Sequence, residues 1–111
     1  MVIKMKTPQN SSPVVVVTGG ARGIGLEICN TFLKRGYRVA ALDIDKLTLA
    51  KTQAHFNSPD FLAIHCDVSK PVQVTRSIDR IEKKFGRIDS LINNAGVAIF
   101  KPILEVNRPG F

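Results

Sequence analysis

Glycines cluster in one short stretch of the chain, where residues 18–25 read Thr-Gly-Gly-Ala-Arg-Gly-Ile-Gly. The stretch follows an apolar run, Val14 to Val17, and precedes an amphipathic pattern. At the start of a helix the backbone N–H groups have no intrahelical partners and the helix dipole is positive, so an anion is favoured there. Glycine lets a phosphate approach the backbone without a Cβ in the way. Tight turns are also glycine-rich for steric reasons alone, so this chemistry depends on its context.

A carboxylate provides that context. Asp43 follows the second apolar run, 18 positions beyond Gly25 and 24 beyond Gly19. An acidic side chain about 20 residues after such a turn hydrogen-bonds the ribose hydroxyls of a dinucleotide. The glycine turn and Asp43 together predict a dinucleotide-binding site.

The elements that must position these residues begin with strands. The run from Pro13 to Thr18 is β-branched and lacks polar alternation, which is typical of a central parallel strand buried on both faces. Further strands are expected over residues 37–42, 61–65 and 88–92. Short apolar runs bounded by turn residues favour strands over helices at these places.

Helices are expected between successive strands. The first carries Ile24, Ile28 and Phe32 at steps of four. Asp45 is expected to cap the second, and Ser69 with Pro71 to open the third. The residues expected to face inward are Leu47, Ala50 and Ala54 on the second helix and Val74, Ile78, Ile81 and Phe85 on the third.

This alternation predicts an α/β fold, a doubly wound parallel sheet with helices on both faces. About four strands and three helices fit the sequence. Residues 1–13 are interpreted as a flexible basic leader, and residues 14–111 as a partial dinucleotide-binding domain.

Composition excludes several classes of protein. The chain has 111 residues, 44% of them hydrophobic, and a formal charge of +7, which indicates one globular domain. Its densest basic cluster is interleaved with acids and lacks aromatic residues, so a solvated helix face is favoured over a nucleic-acid surface; the cluster is Arg76, Arg80, Lys83, Lys84 and Arg87. No apolar run is long enough to span a membrane. Cys29 and Cys66 show neither disulfide nor metal-ligand spacing, and a cytoplasmic location is expected.

Two more stretches stand where strands are expected to end, Cys66-Asp67-Val68 and Asn93-Asn94-Ala95-Gly96. Together with the turn at residues 18–25 and Asp43 they cover residues 14–97. In order and spacing they resemble the N-terminal half of the short-chain dehydrogenase/reductase family. The resemblance implies a Rossmann-like fold that binds NAD(P), and hydride transfer between the nicotinamide cofactor and a carbonyl or alcohol substrate.

By this resemblance, three groups of residues hold the cofactor. The phosphate turn and its lining are Gly19, Arg22, Gly23, Ile24 and Gly25; Asp67 and Val68 flank the adenine; Asn94, Ala95 and Gly96 border the cofactor. Alternatively, Asp67, Asn93 and Asn94 only stabilise turns after the strands and do not contact a cofactor.

Charge favours NAD over NADP. A carboxylate at Asp43 would repel a 2′-phosphate by several kcal/mol at about 4 Å and an effective dielectric near 20, but it can accept hydrogen bonds from both ribose hydroxyls. Arg22 has the opposite effect, because a guanidinium there could neutralise the added phosphate. We expect the repulsion by Asp43 to outweigh the attraction by Arg22.

No catalytic residue is assigned. The family resemblance implies a Tyr-x-x-x-Lys pair, but Tyr37 is the one tyrosine and Ala41 stands four places on. Neither His55 nor His65 has a potential catalytic partner at a characteristic spacing. Asn107 is interpreted as a chance match to an asparagine of the family. We therefore expect a truncated cofactor-binding portion, inactive alone and exposing a strand edge beside Leu91 and Ile92. The alternatives are a non-catalytic dinucleotide- or partner-binding product that pairs with a full-length relative, or a methyltransferase fragment.

Overall fold

The protein, described here by a computed structural model over residues 12–94, has the predicted doubly wound architecture. Four parallel strands are arranged in the order β3-β2-β1-β4. The elements in chain order are β1 (Val14–Thr18), α1 (Gly23–Lys34), β2 (Arg38–Asp43), α2 (Lys46–Phe56), β3 (Phe61–His65), α3 (Pro71–Phe85) and β4 (Ser90–Asn93).

Strand β1 is the centre of the core and is buried along its whole length, as its valine run predicts. Val14 and Val16 pack into a cluster with α3, whereas Val15 and Val17 pack into a second cluster with α1. Alternate side chains of a strand point to opposite faces, so helices on both faces bury all four valines. Burying each such side chain contributes roughly 1.5–3 kcal/mol.

The face that α2 turns to the sheet differs from the prediction. Leu47 is 77% exposed, and Ala50 and Ala54 are exposed as well. Leu49 and Thr52 are buried instead. The Thr52 hydroxyl donates to the Ala21 carbonyl at 3.0 Å, so a polar contact outside the helix helps to fix its rotation. Because the apolar residues of α2 are spread over its buried and its exposed sides, periodicity alone was an insufficient guide.

The starts of β2 and β4 also differ from the prediction. Tyr37 was expected to begin β2, but its N–H donates to the Phe32 carbonyl at 3.0 Å, and its ring packs edge-on against Phe32. Tyr37 therefore completes the C-terminal turn of α1. Strand β4 begins at Ser90 rather than Ile88.

Asp89, which directly precedes β4, hydrogen-bonds the start of β1. Its Oδ2 accepts a hydrogen bond from the Val14 N–H at 2.7 Å, and Arg87 donates to both of its carboxylate oxygens. The Arg87 guanidinium, followed by the Val14 N–H, lowers the pKa of Asp89 below its ordinary value. Its charged form is therefore favoured by folding.

This lowered pKa predicts a loss of stability in acid. A carboxylate of this kind contributes its full stabilisation above its unfolded pKa of about 3.9, and loses it as the pH falls through the lower folded pKa. We expect Asp89→Asn to be less stable than wild type at neutral pH and to lose less stability below about pH 4. Urea unfolding over a pH series measures this. Asp79→Asn, which removes an exposed carboxylate of α3, is the control, and parallel curves for wild type and Asp89→Asn would contradict the prediction.

None of the helices within residues 12–94 has both the length and the apolar character of a membrane span. In the same range, no group of three or more His, Cys, Asp or Glu side chains is placed to hold a metal ion. Both cysteines in this range are free and buried.

Candidate functional site

The glycine turn lies where the sheet changes direction. From β1 the chain proceeds outward through β2 and β3, and then returns to the other side of β1 as β4. The C-terminal ends of β1 and β4 thus meet at the switch point, the usual ligand position in such sheets. There the Thr18 hydroxyl donates to Asn93 Oδ1 at 3.0 Å, which ties the two strand ends together.

Gly25 allows the turn to fold back on itself. A Cβ at this position would overlap the Gly19 carbonyl and lie 2.8 Å from Asn94 Nδ2. That same Asn94 amide donates to the Gly19 oxygen at 3.2 Å. Any side chain at Gly25 would therefore displace both the turn and its contact with the residue that follows β4.

The first turn of α1 is open to an anion. Arg22 is the N-cap residue and makes no side-chain capping bond, and the first turn contains no acidic residue. The Leu26 N–H donates to the Arg22 carbonyl at 3.2 Å, whereas the preceding N–H groups of a helix have no intrahelical acceptor. Gly23 has a φ of +59°, a left-handed conformation that glycine adopts readily. The Ile24 side chain is 74% exposed beside it.

Asp43 ends β2 directly beneath this turn and is 8% exposed. Its Oδ2 accepts from the Ala21 N–H at 3.1 Å, and its Oδ1 accepts from the Asp45 N–H at 3.0 Å. A carboxylate has about four lone-pair sites, so each oxygen can accept a further hydrogen bond. Asp43 thus shapes the turn and keeps acceptor capacity beside it.

The Arg22 side chain forms an ion pair beside the turn. Its Nη1 lies 3.6 Å from Asp45 Oδ2, and its side chain is 67% exposed. Asp45 also caps α2, as predicted, by accepting from the Thr48 N–H at 3.1 Å. Its contacts with Thr48 are the main reason that its pKa is lowered, and Arg22 adds a smaller contribution. The charge of Arg22 is therefore already partly neutralised.

The segment after β3 forms a turn of its own. Asp67 Oδ1 accepts from the Ser69 hydroxyl at 2.6 Å and the Ser69 N–H at 3.0 Å, and these bonds lower the pKa of Asp67. The Asp67 N–H donates to Gln73 Oε1 at 2.8 Å. Val68 is 9% exposed and packs into the α3 side of the core. Its side chain thus belongs to the core cluster.

The structure brings one group of predicted residues together at the turn, through contacts that join it to β2, α2 and the end of β4. That group is Gly19, Arg22, Gly25, Asp43 and Asn94. Ala95 and Gly96, also predicted to border the cofactor, lie outside the described residues.

Gly20 and Gln73 were missed by the sequence analysis. A Cβ at Gly20 would lie 2.8 Å from the Ala41 Cβ and 3.1 Å from Cys29 Sγ, so this glycine lets the turn pack against β2 and α1. The doubled glycine at positions 19 and 20 was the available signal. Gln73 holds the Asp67 N–H from α3, and no sequence signal pointed to that contact.

The residues considered for proton transfer are not part of the glycine turn. Tyr37 precedes β2 and packs against Phe32, at the end of the sheet opposite the turn. His55 is exposed on α2, and His65 is exposed at the end of β3. His65 is the register partner of Asp43 in the sheet, whereas Tyr37 and His55 lie away from the turn.

An apolar groove of about 560 Å³ runs along α1 beside β4. Its walls include Ile24, Ile28 and Phe32 from successive turns of α1, together with Ile92 from β4. The groove lies beside the strand edge that the sequence analysis expected to be exposed.

A family model described as short chain dehydrogenase matches residues 13–111. Among curated proteins, the chain is 39% identical to the CLA biosynthesis dehydrogenase/reductase of Lactiplantibacillus plantarum over 84% of this chain and 33% of that protein. It is 43% identical to the 2-(R)-hydroxypropyl-CoM dehydrogenase of Xanthobacter autotrophicus, over 78% of this chain and 36% of that protein. The chain thus spans about a third of the length of these relatives.

Solved structures give the same result. The 3-ketoacyl-(acyl-carrier-protein) reductase of Brucella melitensis, complexed with NADH, superposes with a TM-score of 0.68 at 29% identity, over 71% of this chain and 32% of that one. An apo SCOR enzyme of Clostridium thermocellum gives a TM-score of 0.70 at 37% identity, over 75% of this chain and 33% of that one.

Proposed function

The chain belongs to the short-chain dehydrogenase family, and on that premise we propose that it binds NAD where β1 leads into α1. One observation carries the proposal: the first turn of α1 has no acidic residue and no side-chain cap, and a buried carboxylate, Asp43, holds the turn that leads into it. A positive helix end for a pyrophosphate and a carboxylate for a ribose are the two groups that a dinucleotide needs.

In this proposal each part of the site has one role. Gly19, Gly23 and Gly25 keep side chains away from the pyrophosphate, and Ile24 covers it from the solvent side. Asp43 accepts hydrogen bonds from the ribose hydroxyls. The adenine would lie against the Asp67 and Val68 segment, and the residues proposed to border the rest of the cofactor are Asn94, Ala95 and Gly96.

NAD is preferred to NADP in this proposal, because two carboxylates stand near the place of a 2′-phosphate. Asp43 would oppose the phosphate directly. Arg22 could have attracted it, but the 3.6 Å contact with Asp45 reduces the charge that Arg22 can offer. The Brucella reductase that superposes on this chain is complexed with NADH, which agrees with this choice.

The oxidoreductase chemistry would need residues besides those of the turn. Bound NAD supplies the site that accepts or donates hydride, and a carbonyl or alcohol substrate would exchange its proton with a separate acid or base. Tyr37 is the one tyrosine of the chain, and it lies away from the turn. We therefore propose that these 111 residues bind the cofactor but do not turn over substrate alone.

Calorimetry tests both parts of the proposal. We expect the chain to bind NADH more tightly than NADPH and not to bind S-adenosylmethionine, which would serve the methyltransferase alternative. A panel of carbonyl compounds with NADH should show no oxidation above the rate without protein. Binding of S-adenosylmethionine alone would overturn the cofactor assignment, and clear turnover would overturn the proposed inactivity.

A second candidate function, association with another chain, is favoured by the groove beside α1. Apolar side chains of α1 and β4 line this groove, and we propose that they form an interaction site. We expect a second copy to cover it, so that size-exclusion chromatography with light scattering shows concentration-dependent dimers. Ile28→Thr, inside the groove, should weaken the dimer, whereas Val72→Thr, on exposed α3 surface, should not. A wild-type chain that stays monomeric at all concentrations would refute this.

A further inference from the structure

Strand β3 is the outer strand on one side of the sheet within the described residues. Its inward hydrogen bonds to β2 include the Val39 N–H with the Asp60 carbonyl and the Cys66 N–H with the Asp43 carbonyl. In a parallel pair, alternate residues direct their N–H and C=O groups to the neighbouring strand. The backbone groups of Phe61 and Ala63 therefore point outward, away from β2.

Gln53 occupies two of these outward groups, and a third, the Phe61 N–H, donates to the Ser58 carbonyl at 3.2 Å. Its Nε2 donates to the Phe61 carbonyl at 3.2 Å, and its Oε1 accepts from the Ala63 N–H at 2.9 Å. One residue of a further parallel strand would satisfy the same two groups with its own N–H and C=O. The side-chain amide of Gln53 thus takes the place of a peptide group at the edge of the sheet.

The helix holds this amide in position. Gln53 is half-buried on α2, next to Thr52, which is 4% exposed. The Thr52 hydroxyl shares its one proton between the Thr48 carbonyl at 2.8 Å and the Ala21 carbonyl at 3.0 Å, and Leu49 is buried one turn earlier. Because these contacts fix the rotation of α2, the amide is presented to β3 by an anchored element.

Without this cover, β3 would be a suitable strand for pairing between molecules. It reads Phe-Leu-Ala-Ile-His and contains no proline, acidic residue, lysine or arginine. Short segments with high β-propensity, low charge and an open edge template the addition of another strand. Two identical edges can pair about a twofold axis, and such a contact is self-complementary.

We propose that Gln53 closes the β3 edge and so prevents pairing of β3 with β3 of a second copy of this chain. The proposal concerns the edge of the sheet opposite β4, and it does not depend on cofactor binding.

The test compares Gln53→Met with Ala54→Met. Methionine keeps the length of glutamine without its amide. Ala54 is exposed on the same helix, so the control adds the same apolar side chain without touching the edge. In Gln53→Met we expect the Ala63 amide to exchange its hydrogen about tenfold faster, and we expect dimers, detected by light scattering, at concentrations where wild type and Ala54→Met show none.

A second variant, Gln53→Ala, removes the amide without added bulk and decides the outcome if Gln53→Met does not fold, as judged by circular dichroism. Faster Ala63 exchange without new association in either variant would overturn the proposal, because the edge would then be open but inert. Equal association in Ala54→Met would also overturn it, since added surface hydrophobicity would be sufficient. Unchanged Ala63 exchange would show that Gln53 does not cover the edge.

Discussion

Replacing Gly25 by alanine is expected to reduce NADH affinity about 100-fold or more. The new Cβ would overlap the Gly19 carbonyl and crowd the Asn94 amide. Both neighbours are parts of the turn or are bonded to it, so relief requires the backbone to move. A turn that moves cannot present the first N–H groups of α1 in the same arrangement.

Gly36→Ala is the matched control for this variant. Gly36 has a φ of +87°, and apart from its chain neighbours no heavy atom lies within 4 Å of the position of its added Cβ. The substitution should therefore cost about 1–2 kcal/mol of stability through backbone strain, while NADH affinity stays at the wild-type value. Calorimetry with NADH and urea unfolding of both variants separate binding from stability. Wild-type affinity in Gly25→Ala would show that the turn is not the binding site.

Replacing Asp43 by asparagine is expected to change the ratio of NADPH to NADH affinity by about 100-fold in favour of NADPH. Removing the negative charge abolishes repulsion of a 2′-phosphate, and it weakens the hydrogen bonds that a ribose would make. Asparagine keeps the size of the side chain and one acceptor oxygen for the buried turn. Calorimetric titration with each cofactor measures the ratio.

Asp43→Ala should also weaken NADH and favour NADPH, but its effect on the fold is larger. It leaves the N–H groups of Ala21 and Asp45 without their carboxylate acceptor, and each such loss costs about 1–3 kcal/mol when the group is buried. Asp60→Asn makes the same change in net charge at an exposed site before β3 and should leave the ratio unchanged. An unaltered ratio in Asp43→Asn would mean that Asp43 serves only to shape the turn.

Strong apolar patterns predicted the fold well. The valines of β1 are buried because a run without polar alternation can be accommodated only between two layers. On α3, Val74, Ile81 and Phe85 are buried, as their spacing predicted. The prediction for α2 was wrong because its apolar residues do not share one face: Leu49 is buried, whereas Leu47 and Ala50 lie on the exposed side. Contacts with β3 and with the glycine turn determine the rotation of that helix.

Within the candidate site, the sequence determined which residue types follow each strand, and the order of the strands brings those ends together. Local spacing therefore sufficed to predict that Asp43 lies beside the glycine turn. Only the tertiary structure decided how that carboxylate is held by Ala21 and Asp45, how Arg22 is paired, and that Gln53 covers the edge of β3. Each of these contacts joins side chains to groups on other segments, and its geometry depends on how the helices pack on the sheet, which spacing along the chain does not encode.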